Sequence, residues 1–239
     1  MQSIACDAKS KLIKEFFERD TNKLQKDYPS IVEINVPKKT FLYRQGDHCS
    51  NLFWIKSGIV KLSHLTEQGD EITIDLLKRG DVIGCFLNSS ASQGMDETAQ
   101  ALDDVNFYRI AYSDFKVMMS HQAELAWYVI EDMYARKQRV ERKLRTILTQ
   151  PVEMRVITTL LELAGMFGIR CTHGYTLEIH LTQQEVADLV GASRSVVSTV
   201  LNDFRNRGML DYTRDQICIN DAALVDSCRL QQPWRLGAE

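Results

Sequence analysis

The chain has 239 residues, with 44% apolar residues, 26% charged residues and a formal net charge of −3. These values suit two globular domains and exclude a disordered chain, a collagen and a disulfide-rich scaffold. No apolar run reaches the roughly 18–20 residues that a membrane helix needs, and residues 1–17 lack the apolar core of a signal peptide. We therefore expect a cytoplasmic protein.

The six cysteines give no indication of a metal or redox motif. They are scattered along the chain as Cys6, Cys49, Cys85, Cys171, Cys218 and Cys228, without any Cys-x-x-Cys pair. A structural zinc site or a redox dithiol usually has two thiolates close in sequence. We interpret these residues as reduced, mostly buried thiols and expect no metal site.

The first third of the chain has the pattern of an antiparallel β domain. Glycine turns at Gly46, Gly58, Gly69 and Gly80 separate short β-branched and aromatic runs. These runs predict strands at 31–36, 40–43, 52–55, 59–62 and 72–77, with two more at 97–102 and 106–110. Short strands at this spacing favour a sandwich or a barrel. Residues 67–70 indicate a hairpin turn in which Gly69 supplies a positive φ.

A long helix is predicted over 121–148, where there is neither proline nor glycine. Two sets of residues each recur every seven positions and together form a heptad seam. One set is Ala126, Met133, Val140 and Ile147, and the other is Ile130, Lys137 and Leu144, in which Lys137 is the one polar member. The helix could pack on its own domain, but a strict heptad repeat with a charged far side favours a partner helix, and a homodimer is the simplest partner. Pro151 ends the helix at a hinge, and a further helix is predicted to stop near 165–168.

Residues 181–204 carry the most informative motif. Thr182 and Glu185 are spaced as a capping box at the start of a short helix. Gly191 suits a tight turn with positive φ, and Ser193 suits the N-cap of a second helix. The predicted inward face of that helix is apolar, with Val197, Val200, Leu201 and Phe204, and the outward face is polar. This layout predicts a helix-turn-helix, although an ordinary helical hairpin has a similar pattern.

The polar residues of this motif are candidate DNA contacts. Arg194, in the first turn of the second helix, can donate two hydrogen bonds to a guanine in the major groove. Residues near helix N-termini suit phosphate contacts. The full predicted set is Thr182, Gln183, Gln184, Ser193, Arg194, Ser195, Ser198, Thr199 and Asn202. Residues 207–212, a turn at Arg214-Asp215 and residues 217–219 predict a strand–turn–strand, which is the wing of a winged helix.

From about Ile31 to Val225 the chain resembles the Crp/Fnr superfamily of bacterial transcription regulators. The resemblance rests on the segments around Gln45-Gly46-Asp47 and 78–84, on the long helix and on the winged helix. It implies an α+β fold with an N-terminal β jelly roll, a long dimerisation helix and a C-terminal winged helix-turn-helix. The expected boundaries are 1–119 for an effector-sensing roll, 120–149 for the dimer helix, 150–222 for the DNA-binding domain and 223–239 for a tail.

The resemblance also implies a function. Members are similar in being homodimers that bind palindromic DNA, with effector binding in the roll reorienting the DNA-binding domains. We therefore expect double-stranded DNA, a second copy of the chain and RNA polymerase as partners, and no membrane. Two-fold symmetry implies half-sites about 34–36 Å apart. Activator or repressor action, the operator and the target genes cannot be determined from the sequence.

The implied effector pocket departs from that of the cyclic-AMP-binding members. The positions carried over from the family are Ile83, Gly84, Cys85, Met95, Asp96 and Thr98. Cys85 stands where those members have a glutamate, and Met95-Asp96 stands where they have Arg-Ser. Because a cyclic phosphate needs guanidinium and hydroxyl donors, we expect no cyclic AMP binding, and the effector remains unidentified.

The sequence leaves other signals and functions as alternatives. Cys6 alone does not make the N-terminal cysteine cluster of iron–sulfur members, and no histidine follows Cys85 as in the CO-sensing haem members. A redox-, haem- or metal-responsive regulator using Cys85 is one alternative, although the frequent burial of cysteine as a small apolar residue favours simple packing. A module that acts through protein partners is another. No catalytic motif is present, so we expect no enzyme, and a cupin-like metal site lacks suitably spaced histidines.

Overall fold

The computed structural model describes residue 16 and residues 21–86, 94–172, 174–177, 179–212, 216–220 and 222–224. The chain divides into two compact units, residues 1–140 and 141–239. The first half of the long helix falls in the first unit because its residues Leu125 and Val129 pack in the roll core. The boundaries at 119 and 149 stay a prediction. Within the described residues, no helix is both long and apolar enough to cross a membrane.

The N-terminal unit contains two four-stranded antiparallel sheets. Helix α1 (Thr21–Asp27) precedes eight strands. These are β1 (Val32–Val36), β2 (Phe41–Tyr43), β3 (Asn51–Ser57), β4 (Val60–Leu65), β5 (Glu71–Leu77), β6 (Val82–Gly84), β7 (Thr98–Ala101) and β8 (Val105–Ala111). The sheet orders are β1-β8-β3-β6 and β2-β7-β4-β5. The predicted jelly roll is therefore confirmed, and so is the hairpin at 66–70, where Gly69 has a φ of 89°.

Successive side chains of β3 and β8 point to opposite faces of their sheet, and this explains why the unit has two cores. Phe53, Ile55 and Phe107 point between the two sheets, where they pack with residues such as Leu62 and Ala99. The intervening residues Leu52, Trp54, Tyr108 and Ile110 point to the other face of the same sheet, which is covered by helical residues. A strand buried on both faces presents no polar alternation, and this is why these runs are so apolar.

Two helices follow the roll where the sequence predicted one. Helix α2 (Tyr112–His121) ends at Gln122, whose φ of −126° and ψ of 82° are not helical. Helix α3 (Ala123–Thr149) then runs for 27 residues. Its first turns join the roll core through Leu125 and Val129. The predicted start at residue 121 therefore lies at the end of α2.

The C-terminal unit is a winged helix-turn-helix, as predicted. It contains α4 (Val152–Phe167), β9 (Gly168–Cys171), β10 (Gly174–Leu177), α5 (Gln183–Val190), α6 (Arg194–Asn206), β11 (Leu210–Tyr212) and β12 (Ile217–Ile219). The sheet order β11-β12-β10-β9 includes two strands that the sequence analysis did not predict. Leu224, assigned to the tail, is fully buried. The predicted turn residues Arg214 and Asp215 lie outside the described residues.

Candidate nucleic-acid interface and effector cavity

The start of α5 is fixed by the predicted capping box. Thr182 Oγ1 accepts a hydrogen bond from the backbone amide of Glu185 at 3.2 Å, and Glu185 Oε2 accepts one from the backbone amide of Thr182 at 2.7 Å. Two amides that the first turn would otherwise leave without partners are thereby satisfied. Of the neighbouring predicted DNA contacts, Gln183 is half-buried and Gln184 is exposed.

The turn between α5 and α6 depends on Gly191. Its φ of 69° places it in the left-handed region. The amide of Ala192 donates to the carbonyl oxygen of Ala187 at 3.1 Å, and this closes the turn. Ser193 then caps α6, because its Oγ accepts a hydrogen bond from the amide of Val196 at 3.4 Å. Both features follow the sequence prediction.

An arginine that the sequence analysis did not select holds this turn. Arg155, on α4, donates from Nη1 to the carbonyl oxygen of Gly191 at 3.1 Å and from Nε to that of Gln150 at 3.0 Å. One side chain thus satisfies carbonyl groups at the ends of two different segments. No local sequence signal identifies this role, since Gly191 lies 36 positions along the chain.

Helix α6 has one buried face and one exposed face. Val197, Leu201 and Phe204 are buried, and Val200 is half-buried. The predicted DNA contacts Ser193, Arg194, Ser195, Thr199 and Asn202 are exposed, whereas Ser198 is half-buried. Because α6 buries only its apolar stripe, its polar side remains available to a partner.

The arginines of this region differ in their contacts. Arg205 Nε lies 3.3 Å from Asp211 Oδ1, and Arg207 Nη1 lies 3.0 Å from Asp203 Oδ2. Hydrogen bonds to Asp203 and Glu153 raise the pKa of Arg207. Arg194, by contrast, is exposed and makes no hydrogen bond or ion pair with any described residue. Its guanidinium can therefore bind an external acceptor without breaking an internal contact.

The wing sheet is attached to the helix-turn-helix by Tyr212. Its hydroxyl donates to the carbonyl oxygen of Leu181, one residue before the N-cap of α5, at 2.7 Å. Burial, followed by the negative charge of Glu185, raises the pKa of this phenol. The contact holds the end of β11 beside the start of α5.

A separate cavity of about 270 Å³ lies in the N-terminal unit, between the roll and α3. Its lining residues are Ile74, Asp75, Ile83, Gly84, Phe86, Glu97, Met133, Arg136, Lys137 and Val140. Gly84 is required there, because a Cβ at that position would lie 2.5 Å from the carbonyl oxygen of Asn51. Two of the predicted effector residues, Ile83 and Gly84, line this cavity.

The other four predicted effector residues lie elsewhere. Cys85 is 2% exposed and does not line the cavity, and Met95 packs in the core between the sheets. Asp96 is exposed, and its carbonyl oxygen lies 2.9 Å from His64 Nδ1. Thr98 Oγ1 accepts a hydrogen bond from the amide of Gln45 at 3.0 Å on the outer side of the second sheet. Beside Ile83 and Gly84, this cavity is lined by Glu97 and by side chains of α3. The six effector residues stay a prediction.

Arginines of α3 pair with a buried carboxylate at this cavity. Asp75 Oδ2 lies 3.4 Å from Arg136 Nε and 3.0 Å from Arg139 Nη2. Arg136 also donates from Nη1 to the carbonyl oxygen of Val82 at 3.0 Å. On the opposite wall, the hydroxyl of Tyr43 donates to Glu97 Oε1 at 2.9 Å. The cavity is therefore lined by two carboxylates, Asp75 and Glu97, and by two basic side chains, Lys137 and Arg136, of which Arg136 is paired with Asp75.

Two carboxyl groups that are hydrogen-bonded to each other also join the roll to α3. Asp81, directly before β6, is 2% exposed and is hydrogen-bonded to Asp132 of α3. Burial and the neighbouring carboxylate raise the pKa of Asp81 to about 7, and burial raises the pKa of Asp132. Two carboxyl groups this close share a proton, because both cannot be ionised in an apolar environment.

Comparisons with known proteins agree with the geometry of both units. Residues 33–122 match the family model for the cyclic nucleotide-binding domain, and residues 154–225 match the model for the Crp-like helix-turn-helix domain. The chain is similar to the global nitrogen regulator of Nostoc sp., with 26% identity over 81% of this chain and 86% of that protein. It is also similar to the cAMP-activated global transcriptional regulator Vfr of Pseudomonas aeruginosa, with 28% identity over 72% and 81%.

Solved structures show the same arrangement of elements. A CooA mutant from Carboxydothermus hydrogenoformans superposes with a TM-score of 0.71 at 20% identity, covering 83% of this chain and 88% of that one. FixK2 from Bradyrhizobium japonicum superposes with a TM-score of 0.70 at 18% identity, covering 82% and 96%. Because both sequence identities are this low, the two comparisons show a shared fold and nothing further.

Proposed function

The chain belongs to the Crp/Fnr family of DNA-binding transcription regulators, and from this premise we propose that it acts as a homodimer on palindromic DNA. Each copy of α6 enters a major groove, and a signal other than cyclic AMP acts at the roll. The proposal includes RNA polymerase as a partner, a cytoplasmic location and no enzymatic activity.

The exposed first turn of α6 is the observation that carries the DNA-binding part. Arg194 follows the Ser193 cap directly and has no described partner to release. A guanidinium in this position suits the O6 and N7 atoms of a guanine. Thr182 and Ser193, at two helix N-termini, suit phosphate groups that orient the protein on the duplex.

An exposed apolar stripe on α3 supports the homodimer. Ile130, Met133, Val140 and Leu144 of the predicted heptad positions are exposed, and Lys137 is exposed among them. Three further large side chains extend the same stripe, namely Trp127, Tyr134 and Leu148. A contiguous apolar face of this length favours an interface, and its seven-residue spacing favours a second identical helix.

The two ends of the predicted seam are less exposed. Ala126 and Ile147 are half-buried. A Cβ added at Gly191 would lie 3.3 Å from Ile147 Cδ1, so Ile147 packs beside the helix-turn-helix of its own unit. The proposed interface is therefore centred on residues 127–144, with Leu148 beyond it.

The charges around the roll cavity support a signal other than cyclic AMP. Asp75 and Glu97 both line it, and Arg136 is already paired with Asp75. A cyclic phosphate placed there would meet two carboxylates as well as Lys137, and it would have to displace Asp75 from Arg136, which disfavours binding. Helix α3 forms one wall of the cavity through Met133, Arg136 and Val140. An effector bound in this cavity would therefore shift the equilibrium of α3 between two positions.

Cys85 is a weaker candidate for the signal. It is buried at 2% exposure and lies outside the cavity lining. A sensor thiol needs access to its oxidant or metal, so we do not assign the sensing role to this residue.

The proposal is tested by selecting duplexes from a randomised library with the purified chain. We expect an inverted repeat bound by two chains per duplex, with affinity that falls steeply as salt rises. Sedimentation of the protein alone measures the dimer. If no palindromic DNA binds in a salt-sensitive manner, a module acting through protein partners replaces this proposal.

A further inference from the structure

Two cysteines far apart in sequence meet on the wing sheet. Cys171 Sγ and Cys218 Sγ lie 3.9 Å apart, at the end of β9 and in the middle of β12. Both residues are half-buried and neither forms a disulfide. Because they are separated by 47 positions, a search for Cys-x-x-Cys spacing cannot find them.

The sheet topology explains the contact. Strand β10 lies between β9 and β12, with Gly174 opposite Cys171 and Thr176 opposite Cys218. The neighbours of Cys218 along its strand, Ile217 and Ile219, are buried. Since side chains alternate along a strand, Cys218 points to the other face of the sheet, away from the core of the unit.

This arrangement is unsuited to a direct disulfide. Strand β10 separates the two cysteines, and their partners on it, Gly174 and Thr176, are two residues apart. Their Cα atoms are therefore at least two strand spacings apart, about 9 Å. A disulfide requires Cα atoms within about 7 Å unless the backbone moves. The sulfurs approach each other only because both side chains lean across β10.

The sulfur–sulfur distance instead matches two thiolates on one metal ion. With a Zn–S bond of about 2.3 Å and a tetrahedral angle, two sulfurs on the same zinc lie about 3.8 Å apart. Thiolates select soft cations such as Zn²⁺ and Cu⁺. A bridging ion also removes the constraint on the Cα atoms, since it adds two bonds between the sulfurs.

The carboxylate nearest to Cys218 in the sheet is already paired. Asp211 lies opposite Cys218 in the β11–β12 ladder, and its Oδ1 lies 3.3 Å from Arg205 Nε. The proposed site therefore depends on the two sulfurs, which would lose their protons when a metal ion binds.

We propose that Cys171 and Cys218 form a two-sulfur site for a soft divalent cation of the Zn²⁺ type on the outer face of the wing sheet. Among the described residues there is no cluster of three or more histidine, cysteine or acidic side chains that would hold a metal. Water therefore completes the coordination, and the site binds metal reversibly.

Cadmium titration of the folded full-length chain tests this proposal. The parent protein carries Cys6→Ser and Cys228→Ser, so that only the four described cysteines remain. We expect one Cd²⁺ per chain with a thiolate-to-metal charge-transfer absorption. Cys171→Ser and Cys218→Ser should each weaken Cd²⁺ binding at least tenfold, whereas Cys49→Ser and Cys85→Ser should leave it unchanged.

Two results would overturn the proposal. One is Cd²⁺ binding that survives in both Cys171→Ser and Cys218→Ser, with thermal melting showing that each variant is folded. The other is a Cys171–Cys218 disulfide, found by peptide mass spectrometry after the folded parent is treated with a mild peroxide. That product would show that the two sulfurs need no bridging atom. Cys171→Ala and Cys218→Ala serve as second variants if a serine variant does not fold.

Discussion

Arg155 Nη1 donates a hydrogen bond of 3.1 Å to the carbonyl oxygen of Gly191, the residue that turns the chain between α5 and α6. The same guanidinium binds the carbonyl oxygen of Gln150 just before α4. The position of α6 therefore depends on a residue that does not belong to the helix-turn-helix motif.

Arg155→Ala should destabilise the C-terminal unit by about 1–2 kcal/mol, because two carbonyl oxygens lose a charged donor. Arg194→Ala is the matched control, because the Arg194 side chain is exposed and has no described partner. It should leave thermal stability unchanged. Calorimetric or denaturant unfolding of both variants measures the difference. Equal stability of Arg155→Ala and the parent would contradict a structural role for this contact.

Arg194→Ala should weaken specific DNA binding by about 1–3 kcal/mol and relax the preference at one base pair of each half-site. The physical reason is the loss of a bidentate contact to guanine. Titration against the selected palindrome and its single-base variants measures both effects. If the affinity for the palindrome and for all its single-base variants falls by the same factor, Arg194 contacts a phosphate instead of a base.

Gly191→Ala should destabilise the C-terminal unit by about 1–2 kcal/mol, since an L-residue at φ 69° is strained. The new Cβ would also lie 3.3 Å from Ile147 Cδ1. Gly165→Ala is the control, because Gly165 lies within α4 and its added Cβ would meet nothing within 4 Å. That substitution should stabilise the unit by about 0.5–1 kcal/mol. The two free energies of unfolding should therefore change in opposite directions.

Ile130→Asp should dissociate the proposed homodimer, because it places a charge in the middle of the apolar stripe on α3. Gln138→Asp adds the same charge at another exposed position of the helix and should leave the dimer intact. Sedimentation at several protein concentrations distinguishes the two. A monomeric parent, or a dimer that survives Ile130→Asp, would remove α3 as the interface.

The Asp81–Asp132 pair should make stability depend on pH. The pKa of Asp81 rises from 3.8 to about 7 on folding, so the folded state retains a proton that the unfolded state releases. Stability should then fall as pH rises from about 4 to about 7, by at most about 1.4 kcal/mol per pH unit.

Asp81→Asn removes the titrating group and should flatten this part of the profile. Glu67→Gln, an exposed residue of the β4–β5 turn, changes the net charge equally and serves as the control. Denaturant unfolding at several pH values measures the slope for each protein. A slope that persists in Asp81→Asn would assign it to other groups.

Local chemistry made much of this protein predictable from its sequence. The capping box of Thr182 and Glu185, the left-handed Gly191 and the Ser193 cap are all decided within a few residues, and the structure contains each of them. The strands of the roll were equally clear, because β-branched runs between glycine turns have few other structures available. The resemblance drawn from these motifs identified the family.

Contacts between distant segments were decided only by the tertiary structure. It brought Arg155 to Gly191, Asp75 to Arg136 and Cys171 to Cys218, each across at least 36 positions. It also placed Glu97 and side chains of α3 beside Ile83 and Gly84 at the cavity of the N-terminal unit. Periodicity and capping depend on neighbours along the chain, whereas a cavity or a sulfur pair depends on which strands and helices pack together.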